Sequence, residues 1–337
     1  MGAQFFTKPQ GGGSATRAIC HNCGAVPPMG YARAQLARRT QPPDSPHLPN
    51  GPREPRSSVN SSMTDPDEAH QPARLPALSI EGRVATVEFR DPARRNALDE
   101  PALRAFIDAV QRASTADGVD LVLLRGAGSA FCAGFDLEGC ADEPRRVETL
   151  LTLLSEAVAR LRGVDAPVVA AVQGAALAGG CAILTGCDFI VVAPDAQLGY
   201  PTHRIGISPA VSVPTLLSRT EGATRAFLLA NELVDGTRAV ELGLATHCAP
   251  HADLLASTTD ALVARLLAKG PLAMRETKRW MRAIEARGAG TLGAAPARDG
   301  DAMQRARDAS MALAAGDEFA AMLRAFWSAR GARATQR

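Results

Sequence analysis

Two glycine-rich loops, each directly after an apolar run, are the segments best suited to chemistry. The first reads RGAGSAFCAGFDLEG over residues 125–139, and the second reads QGAALAGGCAILTGCD over residues 173–188. The second loop is expected to open a helix near Gly179, where backbone N–H groups lack intrahelical acceptors and glycine lets a ligand come close. It therefore predicts a site for an oxyanion, with close packing of two backbone segments as the alternative use of its glycines.

The first loop does not match the common nucleotide or hydrolase motifs. Gly126, Gly128 and Phe131 fall where a dinucleotide-binding fingerprint requires three glycines, and no helical pattern opens there. The sequence also lacks the GxSxG elbow of serine hydrolases. A Rossmann-type phosphate turn and a nucleophilic serine are therefore not expected.

Composition places the chain among globular proteins. Of its 337 residues, 46% are hydrophobic, which supplies a sizeable core, and the formal net charge is only +2. No basic stripe with interleaved aromatic residues occurs, so we expect no nucleic-acid partner. The seven cysteines are scattered and odd in number, which favours a reduced, cytoplasmic protein over a disulfide scaffold.

Two segments raise the question of a metal site or a membrane span, and neither is expected to form one. Cys20 and Cys23 supply half of a structural zinc site, but no second close pair of cysteine or histidine follows. Residues 166–187 carry no charge, yet Pro167 and four glycines interrupt them and alanine outnumbers leucine. A strand, a turn and a helix therefore suit this segment better than insertion in a membrane.

The N-terminal residues 1–72 are predicted to be a disordered extension. They show no sustained helical or strand period and contain a cluster of prolines between Pro42 and Pro55. They are arginine-bearing and acid-poor, so one interpretation is a mitochondrial transit segment over residues 1–62. The other interpretation is a gene-start artefact, with the true start at Met63.

From residue 78 the pattern becomes that of a folded domain. The segment ALSIEGRVATVEF predicts two strands around a turn at Glu81 and Gly82. Asp99 is predicted to cap a helix that has Pro101 in its first turn. Three nearly continuous apolar runs predict strands buried on both faces, as in sheets covered by helices: residues 121–124, 167–172 and 189–193.

Helices dominate the rest of the pattern. An amphipathic helix is predicted around residues 144–162, and beyond residue 220 the chain is almost wholly helical. We therefore expect an α/β core over residues 73–265 and a helical C-terminal part over residues 266–337. The C-terminal part is expected to serve as an oligomer interface or as a lid.

In their order and spacing, these motifs resemble the crotonase superfamily, also called the enoyl-CoA hydratase/isomerase family. The matching stretches are RVATVEFRDPARRNALD, LVLLRGAGSAFCAGFDL, APVVAAVQGAALAGGCAILTGCDFIVVAPDAQLGYP, RIGISPA and DGTRAVELGLATH. The resemblance implies an α/β fold, a spiral of ββα units, that binds an acyl-CoA thioester and assembles as a homotrimer or homohexamer. It implies no cofactor beyond the coenzyme A that the substrate carries.

The resemblance also implies the residues of the site. The backbone N–H groups of Phe135 and Gly179 match those that hold the thioester oxygen as it becomes an enolate, and such fixed donors strongly stabilise developing charge. The backbone around CAGFDL is expected to contact the adenine of coenzyme A. Two arginines are expected to bind its phosphates. The alternative is that these arginines form a solvated pair on the surface. The coenzyme A contacts are thus expected from Arg94, Arg95, Ala133, Asp136 and Leu137.

Two positions that carry acids in family hydratases carry none here. The resemblance places the first acid three residues after Gly179, where this sequence has Ala182, and the second where it has Thr202. The acid position of dienoyl-CoA isomerase-like members is Ala210. Because proton transfer in hydration needs a group with a pKa near the working pH, we expect little ordinary hydratase activity.

Tyr200 and His203 are the candidate substitutes for these acids. His203 titrates in the useful range, but as the neighbour of Thr202 it is expected to point away from the pocket. Tyr200 is expected on the same side as Thr202, where it could donate a proton or wall the acyl pocket. Three cysteines near the loops have no base paired with them and are interpreted as small buried hydrophobes: Cys132, Cys181 and Cys187.

The expected function is an acyl-CoA enzyme that stabilises an enolate and uses it in an unconventional reaction. Isomerisation, decarboxylation and C–C cleavage are the reactions compatible with the loss of both acids. One alternative is an acyl-CoA-binding sensor or carrier with little catalysis. The other is an ordinary enoyl-CoA hydratase that uses substitute residues.

Overall fold

The computed structural model describes residues 74–138, 140, 142–143, 145–217, 220, 223–289, 307–308 and 310–334. The predicted extension over residues 1–72, including Cys20 and Cys23, lies outside this part of the chain. Part of the last predicted helical region also lies outside it. The prediction of a disordered extension therefore stays a prediction.

The strands include all three of the predicted apolar runs and the predicted hairpin. In chain order they are β1 (Ala77–Glu81), β2 (Val84–Phe89), β3 (Leu121–Gly126), β4 (Val168–Val172), β5 (Ala175–Leu177), β6 (Phe189–Val192), β7 (Gln197–Gly199), β8 (Leu233–Val234) and β9 (His247–Cys248). Six of them form one sheet in the order β1-β2-β3-β4-β6-β9. The first pair is antiparallel and the later pairs are parallel.

A second, three-stranded sheet was not predicted from the sequence. It has the order β5-β7-β8, with β5 and β7 parallel and β7 and β8 antiparallel. These strands are only two or three residues long, so they show no period that could separate them from loops. Their position matters because β5 and β7 run directly into the two segments that border the site.

The main helices follow the predicted pattern closely. They are α1 (Glu100–Thr115), α2 (Arg145–Gly163), α3 (Gly179–Leu184), α4 (Val213–Leu217), α5 (Ala223–Ala230), α6 (Gly236–Glu241), α7 (Leu255–Leu267), α8 (Pro271–Ala289) and α9 (Asp317–Ala334). Asp99 caps α1, because its carboxylate accepts a hydrogen bond of 2.8 Å from the amide of Ala102. The boundary expected at residue 265 falls inside α7, two residues before its end. Among the described residues, no helix combines the length and the apolar character that a membrane span requires.

The core lies between the large sheet and the helices packed on it. The central strands β3 and β4 are buried almost throughout, as expected for parallel strands covered by helices. Phe89 of β2 stacks on Phe106 of α1 with ring centroids 5.0 Å apart, and it meets Phe131 of the first glycine-rich loop edge-on at 5.5 Å. This aromatic cluster therefore ties the loop to the sheet.

Ion pairs and charged hydrogen bonds attach α8 to the core. Lys278 lies within 2.6 Å of Asp188 and donates to the carbonyl of Ala166 at 3.0 Å. Asp165 accepts from Arg279 at 2.6 Å and also pairs with Arg282. Because they donate to this carboxylate, these arginines lower the pKa of Asp165 to about 2.

We predict that Asp165→Asn loosens α8 and lowers the free energy of unfolding at neutral pH by about 1 kcal/mol, a value reduced for the partial exposure of the pair. The folded-state pKa of Asp165 lies below its ordinary value of 3.8. Its contribution is therefore complete above pH about 4 and is lost as the pH falls towards 2. Urea unfolding of wild type and variant across this range measures the difference.

Asp108→Asn is the control, because Asp108 pairs with Arg112 at 3.5 Å where both side chains are mostly exposed. It should change stability by less than about 0.5 kcal/mol. Equal losses in the two variants, or a loss at Asp165 that persists at pH 2, would contradict the prediction.

Candidate active site

The two glycine-rich loops lie side by side and are joined through their backbones. Cys132 in the first loop donates its amide to the carbonyl of Ala175 at 3.0 Å and accepts from the amide of Leu177 at 3.0 Å. This is a parallel bridge between the first loop and β5. The segment before α3 is therefore held in register with the CAGFD segment.

The contact is close enough to require glycine. A β-carbon on Gly180 would lie 2.3 Å from the carbonyl oxygen of Cys132, a distance that no side chain tolerates. Gly134 has a φ of 97°, and a β-carbon there would lie 2.9 Å from the carbonyl oxygen of Leu177. Close packing and ligand binding, which the sequence left as alternatives, are thus compatible, because the packing is what brings the loops together.

The amide of Phe135 is directed away from its neighbouring strand. Leu98 donates to the carbonyl of Gly134 at 2.8 Å and accepts from the amide of Asp136 at 3.0 Å. In a parallel bridge of this kind the flanking residues make both hydrogen bonds, so the N–H of Phe135 lies on the opposite side. Among the described residues that amide has no hydrogen-bond acceptor.

The amide of Gly179 is the second free donor. Gly179 is the first residue of α3, where an N–H group has no intrahelical acceptor, and no other acceptor lies within hydrogen-bond distance in the described part of the chain. Ala178 precedes it with a φ of 47°, an unusual conformation for a residue with a side chain. The side chain of Phe135 lies against Gly179, since a β-carbon there would be 3.4 Å from the ring. Phe135 and Gly179, the two residues with free amides, therefore lie side by side.

A cavity of about 160 Å³ opens at this point. Its walls come from both loops, from Leu151 and Leu154 of α2, and from the segment after β7. None of its described lining residues is charged, and none is histidine or cysteine. The residues predicted for the site that line it are Ala133, Phe135, Leu137, Gly179, Ala182, Tyr200 and Thr202.

His203 is not brought to this cavity. The chain leaves β7 at Gly199 and enters a 3-10 turn over Pro201–Ile205, so the strand alternation assumed in the sequence analysis does not apply there. His203 is exposed and absent from the cavity wall. Thr202 and Tyr200 both line the cavity.

Tyr200 is a neutral hydrogen-bonding group in this site. Its side chain is only 2% exposed, and burial, together with the nearby thiol of Cys181, raises its pKa well above the ordinary value, while the hydroxyl of Ser212 acts in the opposite direction. The phenol is therefore a proton donor or a wall, not a base. Burial also raises the pKa of Cys132 to about 12 and that of Cys181 to about 11, so these thiols stay protonated.

Arg94 and Arg95 have different surroundings. Arg94 contacts three carboxylates: Asp91 at 2.7 Å, Asp99 at 3.0 Å and Asp136 at 2.7 Å. Its guanidinium is therefore occupied in joining the first loop to the start of α1. The side chain of Arg95 is exposed and makes no ion pair or hydrogen bond with the described residues, while its carbonyl accepts from the amide of Ala133 at 3.0 Å.

Asn96 is a positioning residue that sequence reasoning missed. It is 2% exposed and has a φ of 56°. Its side chain donates to the carbonyls of Ala130 at 2.8 Å and Phe131 at 3.1 Å and accepts from the amide of Asp91 at 2.9 Å. It holds the first loop from more than thirty residues away in sequence, and an asparagine before an apolar residue carries no local signal of such a contact.

The fold places the chain in a known class of acyl-CoA proteins. It belongs to the enoyl-CoA hydratase/isomerase family, the crotonase superfamily, whose family model matches residues 79–294. The predicted α/β fold, with its parallel sheet and covering helices, is confirmed by the solved structures that it resembles.

Two relatives named as hydratases are similar to this chain over most of their length. The crotonyl-CoA hydratase of Syntrophomonas wolfei is 30% identical over 205 residues, which cover 60% of this chain and 78% of that protein. The enoyl-CoA hydratase EchA19 of Mycobacterium tuberculosis is 30% identical over 218 residues, covering 60% and 79%. The crystal structure of an enoyl-CoA hydratase from Mycobacterium smegmatis has a TM-score of 0.67 at 25% identity, covering 75% of this chain and 96% of that chain.

We predict that Gly180→Ala separates the two loops. The added methyl group must displace the carbonyl of Cys132, so the free energy of unfolding should fall by about 1–3 kcal/mol. Urea unfolding measures this loss, and amide hydrogen exchange at Cys132 and Leu177, the two amides that donate across the bridge, reports its loosening. Gly163→Ala is the control, since a β-carbon there meets nothing within 4 Å. A Gly180 variant as stable as the Gly163 variant would show that the loops can adapt.

Proposed function

We propose that the protein binds an acyl-CoA thioester with its carbonyl oxygen at the amides of Phe135 and Gly179 and stabilises the enolate of that thioester. One observation carries the proposal: two residues whose amides have no acceptor in the described part of the chain line a cavity whose described wall contains no carboxylate, histidine or cation. Donors already aimed at a developing negative charge need no reorganisation during the reaction, and removal of one such donor typically costs about 100- to 1000-fold in rate.

The wall of the cavity supports chemistry without an enzyme carboxylate. Ala182 lies one turn after Gly179 in α3, and both line the cavity with Thr202. Hydration needs a group that activates water and a group that protonates carbon, and neither alanine nor threonine titrates at neutral pH. Decarboxylation and C–C cleavage depend more on enolate stabilisation, because the electrons of the breaking bond move onto the thioester oxygen. Isomerisation would require a proton transfer assisted by the substrate itself.

Coenzyme A would be held outside the cavity. The backbone of Ala133 to Leu137 borders the cavity mouth, and Arg95 is exposed beside it with no partner among the described residues. Arg95 is therefore the better candidate for a phosphate contact. Arg94 and Asp136, which pair with each other at 2.7 Å, would instead keep the loop in place.

Assembly through the helical C-terminal part is a further element of the proposal. α8 and α9 expose several large apolar side chains, which is typical of surfaces that become buried in an oligomer. They include Leu272, Met281, Ile284, Phe319, Met322 and Leu323. A homotrimer or homohexamer would cover them.

Specific observations also support two other functions. The neutral cavity wall also suits an acyl-CoA-binding sensor or carrier that performs little catalysis. The similarity to relatives named as hydratases favours a hydratase, which would have to use Tyr200 as its proton donor. Binding and turnover measured on the same sample separate the three.

We expect the purified protein to bind acyl-CoA thioesters, to turn over at least one malonyl-type, hydroxyacyl or enoyl thioester to a product other than a hydration product, and to hydrate crotonyl-CoA poorly. Mass spectrometry identifies the products while calorimetry measures binding. Tight binding without any product would favour the sensor or carrier. Rapid hydration of crotonyl-CoA would overturn the inference drawn from Ala182 and Thr202.

The double variant Ala182→Glu with Thr202→Glu should gain hydratase activity towards crotonyl-CoA, because it supplies two carboxylates beside the proposed oxyanion site. General acid and base groups contribute about 100- to 10,000-fold in rate, so a gain of at least tenfold is expected. Loss of the enoyl absorbance measures it. Ala182→Gln with Thr202→Gln is the matched control and should stay inert. If the glutamate variant folds, binds crotonyl-CoA and gains nothing, the assumed geometry is wrong.

A further inference from the structure

Ala178 has a backbone conformation that residues with a side chain rarely adopt. Its φ is 47° and its ψ is −107°, which lies close to the mirror image of extended backbone. Glycine populates this region readily, whereas the β-carbon of alanine makes it costly. Of the described residues other than glycine, only Arg95, Asn96 and Asn231 share a positive φ. Strain at a residue that borders a binding site points to a functional role for that residue.

The ψ angle of Ala178 sets the direction of the Gly179 amide. The two residues share one planar peptide group, in which the carbonyl and the N–H point in opposite directions. The carbonyl of Ala178 accepts from the amide of Ala182 at 2.8 Å, in the first turn of α3. The N–H of Gly179 is therefore directed away from the body of α3, where it has no acceptor among the described residues.

Contacts on two sides hold Ala178 in this conformation. Its amide donates to the carbonyl of Gly199 in β7 at 2.8 Å. Its methyl group lies over Gly134, since a β-carbon on Gly134 would be 3.2 Å from the β-carbon of Ala178. Gly134 immediately precedes Phe135, the other residue with a free amide. The strained residue is thus fixed between the two segments that carry the proposed oxyanion donors.

The chain allows a second orientation of the peptide between Ala178 and Gly179. Half a turn of this peptide plane would bring the ψ of Ala178 close to the left-handed helical region, which is open to residues with a side chain. It would also give Gly179 a positive φ, which glycine tolerates. The N–H of Gly179 would then point the other way, and the hydrogen bond from Ala182 would be lost. The orientation that can hold an oxyanion is therefore the more strained one for Ala178, and the surrounding contacts and the ligand must favour it.

We infer that Ala178 is a positioning residue of the proposed oxyanion site, whose strained backbone turns the Gly179 amide towards the thioester carbonyl oxygen. The inference rests on the proposed acyl-CoA function. Because the β-carbon opposes this orientation, it lowers the affinity of the site for the carbonyl oxygen, and a glycine at this position would raise that affinity. A methyl group that only filled space between the loops would have the opposite effect, since its removal would loosen them and weaken binding.

The first test measures how much the thioester carbonyl contributes to binding. Isothermal titration calorimetry on the full chain compares butyryl-CoA with S-butyl-CoA, a thioether of the same length that lacks the carbonyl oxygen. The wild-type protein should bind butyryl-CoA more tightly, since only this ligand can accept from the two amides. In Ala178→Gly, the affinity for butyryl-CoA should rise about threefold or more, while the affinity for S-butyl-CoA stays the same. The ratio of the two dissociation constants separates the carbonyl contribution from any change in coenzyme A binding.

The second test measures the Tm of the ligand-free variants. Ala178→Gly should raise the Tm by about 2–4 °C, because the relief of strain outweighs the added freedom of the unfolded chain. Ala116→Gly is the matched control, since Ala116 is half-buried, has an ordinary φ of −72° and lies outside the described cavity wall. It should lower the Tm and leave the binding ratio unchanged.

Ala178→Val tests the opposite direction. It places a β-branched side chain at a positive φ, which increases the strain, so the affinity for butyryl-CoA should fall relative to that for S-butyl-CoA. If this variant does not fold, the glycine variant decides by itself.

Failure of the inference and failure of the proposed function give different results. If the wild-type protein prefers butyryl-CoA and Ala178→Gly leaves that preference unchanged or lowers it, the inference is overturned and the proposed oxyanion site stands. A Tm of Ala178→Gly that falls as far as that of Ala116→Gly would also overturn it. If the wild-type protein binds S-butyl-CoA as tightly as butyryl-CoA, or binds neither, the proposed function itself is refuted.

Discussion

The backbone contact between Gly180 and the carbonyl of Cys132 is the constraint on which the site depends. It brings the start of α3 against the first loop, and the parallel bridge of Cys132 with β5 fixes the register of the two segments. Asn96 and the aromatic cluster around Phe89 hold the other side of that loop. With both segments fixed, Phe135 and Gly179 line one cavity, although 44 positions separate them in the sequence.

Backbone amides without acceptors determine what the cavity is suited to bind. Among the described residues, the amides of Phe135 and Gly179 have no acceptor, and both residues line this cavity. Two such donors suit an oxyanion. Because the described wall carries no carboxylate, histidine, lysine or arginine, the proposed function relies on stabilising charge more than on moving protons.

Much of the fold could be predicted from the sequence. Long apolar runs and the N-cap residue Asp99 identified β3, β4, β6 and α1, because strand burial and helix capping leave local signals in the sequence. The small sheet was not predicted, since strands of two or three residues carry no period. Asn96 was missed because its hydrogen bonds depend on residues far along the chain. The strand alternation assumed around His203 was replaced by a 3-10 turn, which Pro201 permits at its first position.

The sequence by itself determined the family, the α/β pattern of elements, the two glycine-rich loops and the residue types at positions 182 and 202. These depend on local spacing and on side-chain chemistry, which the order of residues states directly. Only the tertiary structure decided that Arg94 is occupied by three carboxylates while the Arg95 side chain has no partner among the described residues. It also decided that His203 lies outside the cavity and that Ser212 lines it with Tyr200 and Thr202. Each of these outcomes depends on which groups meet across long stretches of chain, and on which polar atoms remain unpaired after they have met.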